Sequence, residues 1–361
     1  MTLMQEMSAR ALRLGVPISV QLDLTYRCNE RCVHCYLDHN DHGEMTTAEI
    51  KGLLRQFADT GVFFLVLSGG EIMMRRDFFE ILAHARALMF SVKLKTNAVM
   101  IHEGDAERMR ALGVDSVQIS VYSHRPEVHD AITKLPGSLK RSLEGARLLR
   151  SHGVKVVFAN VLMRGNAEDY RGVQALAAEL GAQFTLDPTI TPMMDGDRSV
   201  LSLNIDSVAL EAVFRDATLV GEVDEFCAPP TGPMEEEDAF DSVPCSAAHN
   251  ACYVSPYGDV YPCVQFPLPS GNVRRQKFAD IWRNSAQLNE VRSITLGDLE
   301  GCSKCVHGGS CSRCPGLAYT EGNMRGPSTQ DCEKSFACTG VASVNLLNRR
   351  STAANLVQIG S

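Results

Sequence analysis

Between Pro17 and about Ile190, runs of apolar residues alternate with segments whose apolar residues have helical spacing. This alternation is typical of repeated βα units, in which parallel strands form a sheet and helices cover it. Six runs are predicted to be strands: ISVQLDL (18–24), VFFLVLS (62–68), SVKLKTN (91–97), DSVQISVY (115–122), VKVVFANVLM (154–163) and QFTLDPTI (183–190). The pattern therefore predicts an α/β fold built on a partial (β/α)6 barrel.

The segments between the strands have helix start and stop signals. TTAEIKGLLRQFADTG (46–61) and SLKRSLEGARLLRSHG (138–153) have apolar residues at intervals of three and four, a capping residue in front and glycine behind. A further helix is predicted over 206–219. In barrels of parallel strands the chemistry lies at the carboxyl ends of the strands, so the residues that follow each strand are the first candidates for function.

Composition and charge exclude several classes of protein. The net charge of −8 and the absence of a basic cluster argue against a nucleic-acid surface. No apolar run approaches the ~18 residues that a membrane helix requires, and the first fifteen residues lack the apolar core of a signal peptide. We therefore expect a cytoplasmic protein that binds neither nucleic acid nor a membrane.

The thirteen cysteines require an explanation. Disulfides are rare in a reducing cytosol, and the count is odd. Ten of the thirteen lie between Cys227 and Cys338. Ligation of a metal or of an iron–sulfur cluster is the favoured interpretation.

Cys28, Cys32 and Cys35 lie in the string CNERCVHC, directly after the first predicted strand. A 4Fe–4S cluster normally takes four cysteine ligands, so three would leave one Lewis-acidic iron open to a small molecule. Half of a zinc site is the alternative. Zinc would require a fourth ligand at tetrahedral geometry, which His34 or His39 could supply.

The CxxxCxxC spacing resembles that of the radical S-adenosylmethionine (SAM) superfamily. The resemblance implies that the amine and carboxylate of SAM chelate the open iron. It also implies that an electron from the cluster, delivered by a flavodoxin- or ferredoxin-like reductant, splits SAM into methionine and a 5′-deoxyadenosyl radical.

The string LSGGEIMMRRDFFE, which contains Gly69, Gly70 and Glu71, follows the second strand. Glycine at a strand end allows the backbone to approach a ligand closely, and a carboxylate there can accept a charge-assisted hydrogen bond from the SAM ammonium. Radical SAM enzymes commonly read GGEP, and Ile72 stands here in place of the proline. The position one βα unit after the cysteines predicts the site of the SAM methionine.

The same resemblance implies SAM contacts at later strand ends, with ordinary turn or capping duty as the alternative for each. TNAV places Thr96 and Asn97 near the methionine, and Ser120 stands where related enzymes hold the ribose or carboxylate. Lys134, in VHDAITKLPGS, stands where an arginine often binds the carboxylate, although lysine lacks the bidentate fork.

Two further residues are implied to lie near the adenine. Met163 belongs to LMRGN (162–166), which resembles the adenine-contacting loops of relatives. His34 lies just before the third cysteine, where an aromatic ring commonly touches adenine.

Composition changes after about residue 220. Prolines and the acidic run Glu235 to Asp238 indicate a solvated linker, with contact to a basic peptide as the alternative. The predicted organisation is an N-terminal extension (1–17), the barrel (18–220), the acidic linker (221–243), a small cysteine-rich domain (244–340) and a C-terminal tail (341–361).

The cysteine-rich domain resembles the SPASM extension of radical SAM enzymes. Cys245 is followed after twelve residues by Gly258 and, four residues later, by Cys263, with Cys252 between; CSKCVHGGSCSRC follows at 302–314. The resemblance implies two auxiliary 4Fe–4S clusters, and so three clusters in all. The first would have the ligands Cys245, Cys263 and Cys314, with Cys252 as a fourth. The second would have the ligands Cys302, Cys305, Cys311 and Cys332.

Some of these assignments leave alternatives open. Cys311 and Cys314 are separated by two residues instead of the usual three, which leaves a CxxC…CxxC zinc ribbon possible. Cys338 competes with Cys332 for the second auxiliary cluster. Cys227 has no assigned role, and it and Cys338 are interpreted as plain buried thiols.

Many SPASM enzymes modify ribosomally made peptides, and the spacing at Cys245 and Cys252 is similar to that of the pyrroloquinoline quinone and mycofactocin maturases. The resemblance therefore implies hydrogen abstraction from a precursor peptide, followed by a crosslink or another oxidative change. Only 27 residues precede Cys28, too few for a winged-helix domain that binds a leader peptide. A separate leader-recognition protein is expected.

Three other functions remain open. Sulfatase maturases that make formylglycine have an aspartate directly after the cysteine that matches Cys263, whereas Val264 and Gln265 stand here. A SPASM enzyme could instead act on a haem precursor or another small molecule. A non-catalytic electron carrier or zinc scaffold would give GGE and the strand-end polar groups no purpose.

Overall fold

The computed structural model describes residues 3–230, 232, 242–308, 311–343 and 345–346. These residues form two compact units. The sheet unit consists of Met1–Asn204 with Ser246–Val291, and the C-terminal unit consists of Ile205–Cys245 with Arg292–Ser361. The acidic run and most of the C-terminal tail lie outside the described residues.

The sheet unit is built on an open sheet of eight strands. The strands are β1 (Ser19–Asp23), β2 (Phe64–Ser68), β3 (Ser91–Thr96), β4 (Ser116–Ser120), β5 (Val156–Val161), β6 (Gln183–Asp187), β7 (Ala251–Val254) and β8 (Val260–Tyr261). Their order is β6-β5-β4-β3-β2-β1-β7-β8. All pairings are parallel except that of β7 with β8. The six predicted strands are confirmed, as is the partial (β/α)6 barrel.

The sheet extends beyond the predicted barrel because β7 pairs in parallel with the far side of β1. Residues 246–291 therefore belong to the sheet unit, although sequence composition placed them in the cysteine-rich domain that was predicted to begin at residue 244. This segment contains cysteines but also two short strands, the buried β7 with the sequence ACYV and the two-residue β8.

The helices of the sheet unit are α1 (Leu3–Leu14), α2 (Thr47–Thr60), α3 (Phe78–Ala87), α4 (Glu103–Ala111), α5 (Pro126–Thr133), α6 (Ser138–Ser151), α7 (Tyr170–Glu179), α11 (Phe278–Asn284) and α12 (Ala286–Arg292), the last of which crosses into the C-terminal unit. Those of the C-terminal unit are α8 (Ser207–Phe214), α9 (Ala217–Val220), α10 (Val223–Phe226), α13 (Pro315–Thr320) and α14 (Thr329–Thr339).

The capping signals explain where α2 and α6 begin. At α2, Thr46 Oγ1 accepts a hydrogen bond from Glu49 N, and the Glu49 carboxylate accepts one from Thr46 N in return. At α6, Gly137 makes no side-chain cap. Asp130 of α5 replaces it, because its carboxylate accepts hydrogen bonds from Ser138 Oγ and Leu139 N.

The helix predicted over 206–219 is interrupted. It forms as α8 and α9, because Asp216 accepts a hydrogen bond from Thr218 N and starts a new helical turn. Asp206 caps α8 in the same way, by accepting from Ala209 N.

The two faces of the strands differ in polarity. Val20 and Leu22 of β1 are fully buried on the apolar face of the sheet, and full burial of each such side chain contributes about 1.5–3 kcal/mol to stability. Gln21 points to the opposite face. So do Lys95 and Gln118, which are register partners on β3 and β4. The inner face of the partial barrel is therefore polar.

In the C-terminal unit, α14 packs against α8, and Cys227 forms a disulfide with Cys338. The interpretation of these two residues as free thiols is therefore wrong. The Cα atoms of residues 111 apart in sequence lie 5.0 Å from each other, a separation that a disulfide spans. Because Cys338 is used in this way, Cys332 has no competitor as a cluster ligand.

Within the described ranges, no helix is both long and apolar enough to cross a membrane.

Candidate functional site

A cavity of about 490 Å³ opens at the carboxyl ends of the strands in the sheet unit. Its lining includes six of the predicted SAM-binding residues and all three cysteines of the N-terminal motif: His34, Gly69, Gly70, Thr96, Asn97, Ser120, Cys28, Cys32 and Cys35. The sequence motifs separated by up to about one hundred residues thus meet on one surface.

The loop after β1 holds the three cysteines. Arg31 N and Val33 N donate hydrogen bonds to carbonyl oxygens at the end of α5, and Cys35 N donates to Cys32 O at 3.1 Å. Glu30 N donates to Cys28 Sγ at 3.4 Å. These bonds fix the loop backbone, so the three thiols face the cavity from defined positions.

Burial sets the charge state of these thiols. It raises the pKa of Cys28 to about 12 and raises the pKa values of Cys32 and Cys35 as well. The free thiols are therefore protonated at neutral pH, and a metal must displace their protons before it can bind. Binding of a cationic cluster would release protons from this loop.

The donor set fits an iron–sulfur cluster by its chemistry, because cysteine thiolates are the usual ligands of such clusters. In the part of the chain that the structure describes, no three His, Cys, Asp or Glu side chains converge as ligands of one metal ion. In a cubane each cysteine binds a different iron, so its cysteines need to surround the cluster instead of meeting at a point.

Gly69 and Gly70, which follow β2, pack against the backbone that precedes the cysteine loop. A Cβ on Gly69 would lie 2.2 Å from Thr25 O, and one on Gly70 would lie 2.4 Å from Arg27 O. Gly69 also has a φ of +136°, which favours glycine. Gly70 N and Glu71 N donate to the same two carbonyls, at 2.8 and 2.9 Å. The glycines are thus required for close packing against the backbone that leads to Cys28.

Glu71 has a different position from the one predicted. Its side chain is fully buried and is not part of the cavity lining. Its carboxylate accepts hydrogen bonds from Thr96 Oγ1, Asn97 N and Met73 N, at 2.8 to 2.9 Å, and burial raises its pKa. In this structure Glu71 positions Thr96 and Asn97 and does not present its carboxylate to a ligand.

Asn97 connects the end of β3 to the cysteine loop. Its Nδ2 donates to Asn29 Oδ1 at 2.7 Å and lies 4.0 Å from Cys28 Sγ. The His34 ring packs edge-on against Tyr122, with ring centroids 4.8 Å apart. Burial lowers the pKa of His34 to about 4, so this ring is neutral.

Two predicted SAM contacts do not reach the cavity. Lys134 ends α5 in a left-handed conformation with φ of 58° and is absent from the lining. Met163 is 1% exposed and packs in an apolar cluster with Tyr122, Ile132 and Ile190. Met163 has the alternative role, that of a turn residue, because its N donates a hydrogen bond to Asn166 Oδ1.

Sequence reasoning missed the polar groups inside the barrel. Lys95, Gln118 and Asp187 line the cavity, and Asp23 is fully buried beside them at the end of β1. The signal was present as polar residues at alternate positions of SVQLD, SVKLKT and SVQIS. A sheet covered on one face alone would place such residues in solvent, whereas a curved sheet turns them into a cavity.

A hydrogen-bonded network connects Lys95 to Asp23. Lys95 Nζ donates to Gln21 Oε1 at 3.0 Å, and Gln21 Nε2 donates to Asp23 Oδ1 at 3.1 Å. Tyr253 OH donates to Asp23 Oδ2 at 3.0 Å and shares a 2.6 Å hydrogen bond with Tyr26 OH. Burial raises the pKa of Asp23 to about 6, although these donors and Lys95 oppose the rise.

The C-terminal unit has a second cavity, of about 370 Å³, whose lining includes Cys302, Cys305 and Cys332. Burial raises the pKa of Cys302 to about 11, and charges on Cys332, Cys311 and Cys305 add to the rise. The four predicted ligands of the second auxiliary cluster are therefore electrostatic neighbours.

The buried guanidinium of Arg313 lies next to these cysteines. Its charge lowers the pKa of Cys302, and its Nε donates to Gly326 O at 2.7 Å.

The predicted ligands of the first auxiliary cluster are divided between the two units. Cys252, in β7, and Cys263, after β8, belong to the sheet unit, whereas Cys245 and Cys314 belong to the C-terminal unit. All four are free cysteines. Their shared ligation stays a prediction from the sequence.

Comparison with models of known protein families matches two regions of the chain. The radical SAM superfamily matches residues 22–173, and SPASM, an iron–sulfur cluster-binding domain, matches residues 245–315. The first match contains the cysteine loop and the carboxyl ends of β1 to β5. The second contains Cys245 to Cys314.

Full-length relatives have more than one activity. The chain is 33% identical over 327 residues to the PqqA peptide cyclase of Xanthomonas axonopodis pv. citri, an alignment that covers 84% of this chain and 85% of that protein. It is 28% identical over 326 residues to the AdoMet-dependent heme synthase of Methanosarcina barkeri, with 84% of this chain and 93% of that protein covered.

Among solved structures, Streptococcus suis SuiB bound to its precursor peptide SuiA has a similar fold. The TM-score is 0.71 at 17% sequence identity, and the match covers 91% of this chain and 79% of SuiB. The cysteine loop at the strand ends, the SPASM match and the 33% identical relative together show that this chain belongs to the radical SAM superfamily and has a SPASM domain.

Proposed function

We propose that this protein is a peptide-modifying radical SAM enzyme, which abstracts a hydrogen from a ribosomally made precursor peptide and forms a crosslink or another oxidative modification. One observation carries the radical SAM chemistry of the proposal. Cys28, Cys32 and Cys35 share a single cavity with Thr96, Asn97 and Ser120, at the carboxyl ends of parallel strands.

Membership of the superfamily implies iron–sulfur clusters and SAM as cofactors. When bound, they supply a 5′-deoxyadenosyl radical at the cavity. Cys28, Cys32 and Cys35 would hold the cluster there. Thr96 and Asn97, held by Glu71, would bind the methionine of SAM together with the backbone at Gly69 and Gly70, and Ser120 would lie against its ribose or carboxylate.

The neutral ring of His34 would contact the adenine. Tyr122 packs edge-on against this ring and would support it from one side. The buried side chains of Tyr122 and Ile190 line the cavity, and their rings and methyl groups would limit the access of water to a radical.

The C-terminal cysteines would hold two auxiliary clusters. Removal of a hydrogen atom followed by bond formation leaves one electron to dispose of. Full ligation of one cluster by Cys302, Cys305, Cys311 and Cys332, and of the other by Cys245, Cys252, Cys263 and Cys314, suits electron transfer. Reduction of the clusters would require a flavodoxin- or ferredoxin-like partner, and a separate protein would recognise the leader of the peptide.

The peptide assignment rests on the 33% identical peptide cyclase and on the fold shared with a peptide-bound enzyme. A haem precursor is the second candidate, because the heme synthase relative is matched over nearly its whole length. A sulfatase-type maturase is disfavoured. Val264 and Gln265 occupy the cavity wall after Cys263, and neither side chain can act as a base.

The test begins with anaerobic reconstitution of the protein with iron and sulfide. Incubation with SAM and a reductant should release 5′-deoxyadenosine; intact clusters without release would exclude the enzyme. Peptides encoded beside the gene, co-expressed with the enzyme, should lose a mass of about two hydrogens. Conversion of a haem precursor, with every such peptide unchanged, would establish the second candidate instead.

A further inference from the structure

The wall of the cavity contains a cation that the proposed SAM contacts do not use. Lys95 points inward from β3 and lies in register with Gln118 of β4, two residues before Ser120. It is therefore one layer deeper in the barrel than the strand ends that would bind SAM. Among the described residues of the lining, Lys95 is the one lysine or arginine.

The network beneath the cavity fixes the Lys95 side chain. Its Nζ donates to Gln21 Oε1 at 3.0 Å, and Gln21 in turn donates to Asp23. Both Asp23 oxygens already accept hydrogen bonds, from Gln21 and from Tyr253. An ammonium group has three donors, so Lys95 is oriented by one hydrogen bond and retains two donors for a ligand.

Lys95 forms no ion pair with an acidic side chain of the protein. Within the described residues, no carboxylate oxygen lies within 4.0 Å of its Nζ, and the charges of Asp23, Cys263 and Asp187 act on it from farther away. Glu30 is hydrogen-bonded to Cys32, at the cluster loop. Asp187, at the end of β6, accepts from Thr189 N. A partly buried ammonium is costly without an anionic partner, and the cavity is where such a partner has space.

We propose that Lys95 binds a carboxylate of the substrate, specifically the side-chain carboxylate of a glutamate or aspartate in the peptide. The inference rests on the proposed peptide-modifying function. A charge-assisted hydrogen bond from Lys95 would hold the acidic residue deep in the barrel, at a constant distance from the strand-end layer that contains Ser120. Lys95 is then a positioning residue that selects acidic peptides.

The test uses the reconstituted full-length enzyme and two blocked pentapeptides that differ in having a central glutamate or glutamine. Acetylation of lysines by N-hydroxysuccinimidyl acetate is followed by mass spectrometry. The glutamate peptide should slow acetylation of Lys95 about tenfold, and the glutamine peptide should not. Lys93, which is exposed two residues earlier on the same strand and outside the cavity lining, is the internal control.

Lys95→Met gives an independent measurement that does not require the lysine to react. A fluorescently labelled copy of the glutamate peptide should bind this variant about tenfold more weakly than it binds the wild type, as measured by equilibrium titration. Lys93→Met should bind it like the wild type, and Lys95→Arg should restore most of the affinity. Equal binding of the two peptides by the wild type, or an unchanged affinity in Lys95→Met, would overturn the proposal.

The same protection experiment with SAM alone, and with a propionate-bearing porphyrin, identifies which molecule supplies the carboxylate. Protection of Lys95 by SAM alone would place the cofactor carboxylate there and overturn the proposal. Protection by a propionate-bearing porphyrin but by neither peptide would overturn the peptide assignment. Release of 5′-deoxyadenosine is measured in the same samples. Release without protection refutes the role of Lys95 alone, whereas protection without release refutes the proposed reaction and leaves the carboxylate site standing.

Discussion

The two cysteine regions that the structure places inside single units are built for different tasks. Cys28, Cys32 and Cys35 lie on one loop after β1 and face a cavity that is also lined by polar strand ends. Cys302, Cys305, Cys311 and Cys332 come from two separate segments, and the last of them lies in α14. The first region offers three thiols and space for a ligand. The second offers four thiols, beside a buried arginine.

This difference indicates that the number of cysteine ligands decides whether a cluster can bind a small molecule or only transfer electrons. In the proposed function, three cysteines would leave one iron available for chemistry, and the glycines, Thr96 and Asn97 would bind the molecule that occupies it. Four cysteines complete the coordination of a cluster and suit it to electron transfer, with a potential that depends on nearby charge. The predictions below test whether the two regions separate in this way.

The largest effect is expected from removal of one cysteine in each region. Cys32→Ala should abolish release of 5′-deoxyadenosine, because the SAM-binding cluster is lost. Cys305→Ala should retain SAM cleavage while formation of the modified peptide is lost. Chromatography of the nucleoside and mass spectrometry of the peptide measure the two steps. Equal loss of SAM cleavage in both variants would remove the distinction between the regions.

The second effect concerns stability, and it comes from the disulfide between Cys227 and Cys338. Replacement of both Cys227 and Cys338 by serine opens a loop of 111 residues, which by chain entropy should cost up to about 4–5 kcal/mol of unfolding free energy. Urea denaturation of the oxidised protein measures the change. Cys227→Ser alone should show the same loss, and an unchanged midpoint would contradict a stabilising disulfide.

A smaller effect is expected in the sheet unit from Gly70→Ala. The added Cβ would lie 2.4 Å from Arg27 O, so the backbone before Cys28 must shift, at a cost of about 2 kcal/mol. Iron content after reconstitution should fall as well. Gly104→Ala is the matched control, since a Cβ there meets no atom within 4 Å, and it should keep or slightly raise stability. Similar behaviour of the two variants would refute the packing role of Gly70.

The smallest effect is the pH dependence of the Asp23 network. Burial raises the pKa of Asp23 from 3.8 to about 6 in the folded protein. The contribution of Asp23 to the free energy of unfolding is therefore complete below the pKa of the unfolded state, 3.8, and is lost as the pH rises through about 6. An asparagine side chain does not titrate, so the variant Asp23→Asn does not lose stability in this way. Its stability relative to the wild type should increase by about 1.4 kcal/mol between pH 5 and pH 8, as measured by thermal unfolding. A constant difference would contradict the raised pKa.

Much of the sheet unit could be predicted from sequence because its signals are local. The alternation of strands and helices, the capping box at Thr46 and the cysteine spacing each lie within short segments. Position along the chain also indicated which residues would meet, and His34, Thr96, Asn97 and Ser120 line one cavity. Their contacts with SAM stay a prediction.

The remaining features depend on contacts distant in sequence. Membership of β7 in the sheet follows from its pairing with β1, which no local pattern reveals. Glu71 lies behind Thr96 instead of facing a ligand, since three hydrogen-bond donors 2 to 26 residues away bind its carboxylate. The disulfide joins Cys227 to Cys338, one from each of the two chain segments that form the C-terminal unit, and composition favoured other uses for them.

The central claim is that Cys28, Cys32 and Cys35 hold a cluster whose open iron binds SAM. Electron paramagnetic resonance of the reduced, reconstituted protein tests it directly. Addition of SAM should change the cluster signal in the wild type and also in a variant with Cys302, Cys305, Cys311 and Cys332 all replaced by alanine, but not in Cys28→Ala. A SAM-dependent change that persists in Cys28→Ala, or its absence from wild-type protein with intact clusters, would contradict the claim.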